Sequence, residues 1–201
     1  MTTVRKPTKL DALERVEVTD RGQLRRWLAR HHARTEGIWL VHWKKITPAK
    51  YVGYDAIVEE ALCQGWIDSL PRKLDDLRTM IYLSPRKPKS VWSKVNKERV
   101  ERLIAAGCMK PAGLAAIECA KANGSWSALD DVEALKVPPD LAEALVQAPN
   151  ARRHFDAYPG SVRKAVLQQL ASARTVATRN KRIREVVQLA ARNQRPGPSK
   201  P

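Results

Sequence analysis

Residues 37–43 read Gly-Ile-Trp-Leu-Val-His-Trp (GIWLVHW), and this stretch decides the fold class. The glycine restarts the chain, and the residues after it are apolar on both alternating faces. A strand with one solvent-facing side would instead alternate apolar and polar residues. We therefore predict a central β-strand over residues 38–43, covered on both faces of its sheet.

The segment before this strand predicts a short amphipathic helix over residues 21–32. Asp20 followed by Gln23 resembles a capping box, in which side chains satisfy the free N–H groups at a helix start. Apolar side chains then recur at helical spacing, at Leu24, Trp27 and Leu28. A short strand at residues 16–18 is predicted to precede this helix.

After the central strand, residues 54–65 predict a second helix, which Gly65 ends because glycine adopts left-handed backbone geometry at little cost. Residues 66–69 are predicted to be short and extended, and residues 77–83 to form a further strand. Two prolines within residues 84–90 predict an irregular loop.

The rest of the chain predicts helices only, starting near Asn96, at Pro111, and near residues 140–147, 151–157, 161–173 and 178–192. The predicted class is α+β: a small mixed sheet with flanking helices, followed by an all-helical C-terminal module. The predicted organisation is a loose lead-in at 1–18, an α+β core at 19–125, a helical module at 126–193 and a frayed tail at 194–201.

The charge balance predicts an anionic partner. The chain has 37 Lys and Arg against 21 Asp and Glu, a formal net charge of +16. A surplus of this size attracts polyanions, so the predicted partners are an anionic small molecule, a polyanion or nucleic acid. The alternative is that the surplus has no specific partner, because basic proteomes and basic tails are common.

Several classes of protein are disfavoured. Cys63, Cys108 and Cys119 are odd in number and form no C-x-x-C pair, which disfavours a disulfide framework and a structural zinc site. No metalloprotease, hydrolase or phosphate-loop motif is present, so we expect no metal and no cofactor. Without a secretory signal or a membrane-spanning apolar run, the expected location is the cytoplasm.

The first predicted site is the loop over residues 85–96. Prolines restrict the backbone of this loop, which carries several basic side chains and leads into the start of a helix. Unpaired N–H groups at a helix start favour the binding of an anion. In the alternative interpretation, Ser93 or Asn96 is only a helix cap and Trp92 a core residue. The predicted binding residues are Asp68, Arg86, Lys89, Ser90, Trp92, Ser93 and Asn96.

Asp68 supports an alternative, enzymatic hypothesis. It follows an apolar segment and is expected near Arg86, with which it would form a charge-assisted pair. A catalytic carboxylate needs a second acid, a base or a metal beside it, and Asp75-Asp76 is more typical of a turn. Structural pairing is therefore favoured, and no catalytic residue is assigned.

The second predicted site is a basic surface near the C-terminus. On a helix, Lys181, Arg182 and Arg184 lie opposite the apolar Ile183 and Val187, where they would meet phosphates or only solvent. The predicted set is Arg174, Arg179, Lys181, Arg182 and Arg184.

Several motifs carry a family resemblance. Residues 60–68 read EALCQGWID, residues 85–93 read PRKPKSVWS, and Ser172-Ala173-Arg174 and Arg179-x-x-Arg182-Ile183 follow downstream. In order, these segments resemble the YdeI/OmpD-associated family, also called bacteriocin-protection proteins, over roughly residues 20–190. Thr175-Val176-Ala177 departs from the turn usual in that family.

The resemblance implies protection against cationic antimicrobial peptides or bacteriocins, without a catalytic set or a cofactor. A chain of charge +16 repels cationic peptides at close range, so direct capture of such a peptide is disfavoured. We therefore expect a non-enzymatic binding or stress-protection protein that recognises something anionic. A nucleic-acid-binding protein and an enzyme using Asp68 with Arg86 are the alternatives.

Overall fold

A computed structural model of the chain describes residues 8–196, which form two compact units. The first unit comprises the described residues up to Ser90 together with Val95–Trp126. The second comprises Val91–Lys94 and the described residues from Ser127 onward. The predicted lead-in and tail extend beyond this range, at residues 1–7 and 197–201, which lie outside the described residues.

The first unit is built on a four-stranded mixed sheet in the order β1-β2-β4-β3. The strands are β1 (Arg15–Val18), β2 (Ile38–Trp43), β3 (Trp66–Lys73) and β4 (Arg78–Pro85). β1 runs parallel to β2, whereas β4 is antiparallel to both β2 and β3. Four successive β2 residues are at most 3% exposed, because both faces of this central strand are covered. The predicted central strand and the predicted α+β class are confirmed.

Four α-helices accompany the sheet: α1 (Arg21–His31), α2 (Tyr54–Cys63), α3 (Lys94–Ala105) and α4 (Pro111–Ala122). Short 3-10 helices lie at Lys9–Ala12 and Pro48–Lys50. The Asp20 carboxylate caps α1 by accepting the Gln23 N–H at 2.8 Å. The Gln23 side chain accepts the Thr19 N–H at 2.9 Å, so it reaches one residue further back than in a standard capping box.

The β3–β4 hairpin is longer than the sequence predicts. β3 continues to Lys73 rather than ending near residue 69, and its register shifts between Asp68 and Pro71. An edge strand tolerates proline because its outer N–H groups need no partner strand. β4 continues to Pro85, since Ser84 and Pro85 pair with β3. The prediction that residues 84–90 are wholly irregular is therefore wrong at its first two residues.

Close packing joins the end of α2 to the start of α4. Gly65 ends α2 at φ +74°, as the sequence predicts. A Cβ atom added to Gly113 would lie 2.4 Å from the Cys63 carbonyl oxygen and 2.7 Å from that of Leu62. The Lys110 N–H donates to the Cys63 oxygen at 3.1 Å. Only glycine at position 113 permits this approach.

The second unit is helical. Its helices are α5 (Asp130–Glu133), α6 (Pro139–Val146), α7 (Pro149–Asp156), α8 (Gly160–Ala171) and α9 (Val176–Ala191). Leu141, Leu145, Phe155, Leu170 and Val186 are central to its apolar core. The sequence predicts the last four helices and misses α5, whose single turn is too short to show a periodic pattern. Within residues 8–196, no helix combines the length and apolar character that crossing a bilayer requires.

We predict that Gly113→Ala destabilises the first unit by about 1–3 kcal/mol, because the added methyl group overpacks the contact with the α2 carbonyls. Guanidinium unfolding followed by tryptophan fluorescence measures this change. Gly53→Ala is the control, since its Cβ would meet only Tyr51 ring atoms at 3.9 Å. The control should cost less than about 1 kcal/mol as a helix-cap substitution. Equal losses in the two variants would contradict the close-packing interpretation.

Candidate functional site

The structure brings Asp68 and Arg86 to the same end of the β3–β4 hairpin. Asp68 pairs with Leu83 in register, and the Arg86 N–H donates to the Gly65 oxygen at 2.9 Å. Burial lowers the pKa of Arg86 to about 10, while the charge of Asp68 acts in the opposite direction. Asp68 is therefore close enough to influence the charge of Arg86, while the predicted charge-assisted pair stays a prediction.

Neighbouring side chains pair with much of this predicted site. The Tyr54 hydroxyl donates to Asp68 Oδ2 at 2.8 Å, and burial followed by this hydrogen bond raises the pKa of Tyr54 to about 12. Arg99 donates to Asn96 Oδ1 at 2.9 Å and to Asp55 Oδ1 at 2.5 Å. Its guanidinium also lies 6.0 Å from the centroid of the Tyr54 ring. Asp68 and Asn96 thus each accept a hydrogen bond from a neighbouring side chain, Tyr54 and Arg99 respectively.

The predicted loop divides between the two units. Lys89 is exposed, and Ser90 closes a turn by donating its N–H to the Lys87 oxygen at 2.9 Å. Trp92 and Ser93 belong to the second unit, and Ser93 immediately precedes α3. Trp92 is 1% exposed, which leaves no ring face open to solvent for stacking. No ligand contact tests these residues, and the loop site stays a prediction.

The predicted basic surface on α9 is only partly displayed. Arg179 donates to both carboxylate oxygens of Asp140, at 2.5 and 2.9 Å, and to the Leu170 oxygen. Arg182 donates to the Gln169 oxygen and to Ser172 Oγ. These two arginines therefore form hydrogen bonds that join α9 to α6 and α8.

The three remaining members of the predicted basic set are exposed. They are Arg174, Lys181 and Arg184. Among the residues that the structure describes, only Lys181 of these three has an acidic partner, with its Nζ 4.0 Å from Glu185 Oε1.

A cleft that the sequence does not predict lies at the junction of α1, α2 and the turn before α4. Its volume is about 180 Å³. We call it the Glu60 cleft, and its lining residues are Arg21, Arg25, Glu60, Cys63, Gln64, Gly107, Cys108 and Lys110.

Glu60 is the buried anion of this cleft, at 4% exposure. Its Oε1 accepts from Arg21 Nε at 2.5 Å and from Arg25 Nη2 at 2.7 Å, and its Oε2 accepts from Arg25 Nε at 3.0 Å. Burial alone would raise the pKa of Glu60, but the hydrogen bonds from Arg25 and Arg21 outweigh it and lower that pKa. The carboxylate therefore stays ionised, with both oxygens occupied.

Cations outnumber acids in the lining. Arg21, Arg25 and Lys110 face the single carboxylate of Glu60, which leaves an excess of two positive charges. Glu59, outside the lining, takes one N–H of Arg21 at 3.0 Å. Within residues 8–196, Lys110 has no ion pair. The cleft therefore keeps positive charge that the protein does not neutralise.

The thiol at the bottom of the cleft is not activated. Cys63 is 6% exposed, and burial followed by the nearby charge of Glu60 raises the pKa of its thiol to about 11. A thiol rather than a thiolate is present at neutral pH, and only the thiolate is a good nucleophile. Within the part of the chain that the structure describes, no group of three or more His, Cys, Asp and Glu side chains could hold a metal ion.

One local signal points towards this cleft. Arg21 and Arg25 are four residues apart and share a face of α1, and Glu60 lies in the EALCQGWID segment. The sequence does not indicate that these two segments face one another.

The fold and the Glu60 cleft define a two-unit α+β protein with a cationic site in its first unit. Residues 16–116 match a family described as a domain of unknown function (DUF8412), and the chain belongs to this family. Residues 134–193 match the family described as Bacteriocin-protection, YdeI or OmpD-Associated. The YdeI/OmpD-associated resemblance is confirmed in this C-terminal region, while EALCQGWID lies in the part that matches the domain of unknown function. No curated protein and no solved structure matches the chain significantly.

We predict that Glu60→Gln destabilises the protein by about 2 kcal/mol at neutral pH, since hydrogen bonds to charged groups contribute roughly this much. The loss is smaller than for a fully buried pair because Arg21 and Arg25 are 41% and 58% exposed. The folded-state pKa of Glu60 is lowered, so its stabilisation is present above the usual value of 4.5 and disappears as the pH falls below it.

Guanidinium unfolding of both proteins at several pH values measures this difference. The difference in unfolding free energy should be full at pH 7 and should shrink below pH 4.5. Glu118→Gln is a matched control, because Glu118 is 71% exposed in a surface pair. A difference that does not change with pH would contradict the assigned role of Glu60.

Proposed function

We propose that this chain is a non-enzymatic binding and stress-protection protein of the YdeI/OmpD-associated type, whose Glu60 cleft binds a small anion. The match of residues 134–193 supports the protective function at the level of the family. The observation that carries the anion-binding part is the positive charge of the cleft, because Arg21, Arg25 and Lys110 exceed the carboxylates of Glu60 and the adjoining Glu59 by one charge. An anion of phosphate or carboxylate type would neutralise this excess.

The donors of the cleft suit such an anion. A guanidinium carries five N–H donors in a rigid plane, and Arg25 uses only its Nε and Nη2 groups on Glu60. Lys110 adds a mobile ammonium at the other side of the cleft, next to the start of α4. Arginine and lysine together form the usual recognition chemistry for phosphate oxygens.

The same groups favour binding over catalysis. Three hydrogen bonds from Arg21 and Arg25 hold Glu60 as a carboxylate and lower its pKa, which makes it a weak base towards a substrate. The Cys63 thiol, with its raised pKa, is a poor nucleophile. The cleft therefore offers charge complementarity without an activated acid, base or nucleophile.

A cytoplasmic protein of this charge would protect through an anionic partner rather than by capturing a cationic peptide, because like charges repel. The exposed Lys87 and Lys89 of the predicted loop, and Arg174 and Arg184 near α9, remain alternative contacts for such a partner. A nucleic-acid-binding role is distinguished by its steep dependence on salt.

We predict that inorganic phosphate binds the protein saturably in isothermal titration calorimetry and that Lys110→Gln raises its Kd about tenfold, the effect of losing about 1.4 kcal/mol of interaction. Lys110 has no ion pair within the described residues, so its replacement should leave the fold intact. Lys45→Gln removes an exposed lysine outside the cleft, which likewise has no ion pair among residues 8–196, and should leave the Kd unchanged.

A Lys87→Gln/Lys89→Gln double variant separates the cleft from the predicted loop. Retained phosphate binding in this double variant, with loss in Lys110→Gln, supports the cleft; the reverse result refutes the cleft and supports the loop. If phosphate does not bind but DNA does, with affinity falling steeply as salt rises, the protein is a nucleic-acid binder instead.

We also expect overexpression of the chain in a sensitive bacterium to increase survival against a cationic antimicrobial peptide, and Lys110→Gln to reduce this gain. Survival is measured at matched expression, with Lys45→Gln as the control. Unchanged sensitivity on overexpression of the unaltered chain would refute the protective role. Equal protection by Lys110→Gln and the unaltered chain would show that protection does not depend on the Glu60 cleft.

A further inference from the structure

The second unit contains a cavity of about 340 Å³ that the proposed anion site does not use. Its floor is formed by Val132, Leu167 and Leu170, which are 7%, 3% and 1% exposed. Pro138, which precedes α6, and Pro139, its first residue, form one wall. Cavities of about 300–1,000 Å³ with apolar walls are typical of small-ligand sites, so this one is at the small end of that range.

The charged groups at the rim neutralise one another. Arg179 makes a two-point contact with Asp140, and the ammonium of Lys136 lies 3.4 Å from Asp131 Oδ1. Two cations are therefore balanced by two acids. A charged ligand would gain little here and would lose its hydration, so an uncharged ligand is favoured.

The backbone groups on the described wall also have partners. The two prolines have no N–H to donate. The Pro138 oxygen accepts the Ala142 N–H at 2.9 Å, and the Leu170 oxygen accepts from Ala173 and from Arg179. The wall therefore offers proline rings and aliphatic side chains, and the Pro138 and Leu170 oxygens beside them are already hydrogen-bonded. Flat aromatic rings bury a large apolar area against such surfaces.

We propose that this cavity binds an uncharged aromatic ring system of one or two fused rings, either as a free compound or as an aromatic side chain of a peptide. The volume of the cavity limits the size of the ligand, and the neutralised charges at the rim favour an uncharged one. The apolar floor provides the contact area for the ring. This site lies in the helical unit and is independent of anion binding at the Glu60 cleft. Most of its lining falls within the YdeI/OmpD-associated region, residues 134–193.

Indole is the probe, added to the isotope-labelled full-length chain and followed by amide chemical shifts. We expect saturable shifts at Leu167, Leu170 and Val132. Ala171→Phe should raise the Kd for indole at least about tenfold, because the exposed Ala171 lines the cavity and a phenyl ring there would fill it. Ala165→Phe places the same ring on an exposed position of α8 outside the lining and should leave the Kd unchanged.

Ala128→Phe places a phenyl ring on another lining residue and gives a second test if Ala171→Phe does not fold. Absence of saturable indole binding, or unchanged binding in both cavity-filling variants, would overturn the proposal, as would tighter binding of indole-3-acetate than of indole. Tighter binding of a capped Gly-Trp-Gly peptide than of indole would support the proposal and identify the natural ligand as an aromatic side chain of a peptide. Weaker binding of the peptide would support the proposal and identify the natural ligand as a free compound. Lys110→Gln, which tests the anion site, should leave indole binding unchanged.

Discussion

A single buried carboxylate organises the first unit. Glu60 on α2 accepts hydrogen bonds from both Arg21 and Arg25 on α1. These bonds hold the two helices together and also determine which of their faces are in contact. Both helices also contribute to one apolar core, through Leu24 and Leu28 on α1 and Ile57 and Ala61 on α2. Apolar packing is not directional, whereas three hydrogen bonds to one carboxylate define which faces meet. The shape of the Glu60 cleft follows from this constraint.

The third side of the cleft depends on close backbone approach. Gly113 allows the start of α4 to pack on the last carbonyls of α2, and the Lys110 N–H bonds to the Cys63 oxygen. These contacts place the Lys110 side chain in the lining of the cleft. The charge of Lys110 adds to the charges of Arg21 and Arg25, which Glu60 already holds in place. Local packing thus produces the surplus of positive charge on which the proposed anion binding rests.

In the second unit, contacts between arginines and carboxylate or carbonyl oxygens join helices and leave no excess of positive charge at the cavity. Arg179 binds Asp140 at two points and ties the first turn of α9 to the first turn of α6, beside the apolar cavity. Arg182 holds α9 to the end of α8. Arginines that look like a displayed basic surface in the sequence are therefore partly structural. What remains near this cavity is electrically balanced, in contrast to the cationic Glu60 cleft.

The sequence alone determined the elements whose signals are local. The central strand, the Asp20 cap of α1 and the glycine that ends α2 each depend on a few adjacent residues, and each is present. That Asp68 and Arg86 lie at one end of the same hairpin follows from their positions in β3 and directly after β4. Which distant charges meet depends on the packing of the helices, because Arg21 and Glu60 are 39 residues apart, as are Arg179 and Asp140. Periodicity shows which face of a helix is apolar, but the partner of a charge depends on how two helices pack, and no local pattern encodes that.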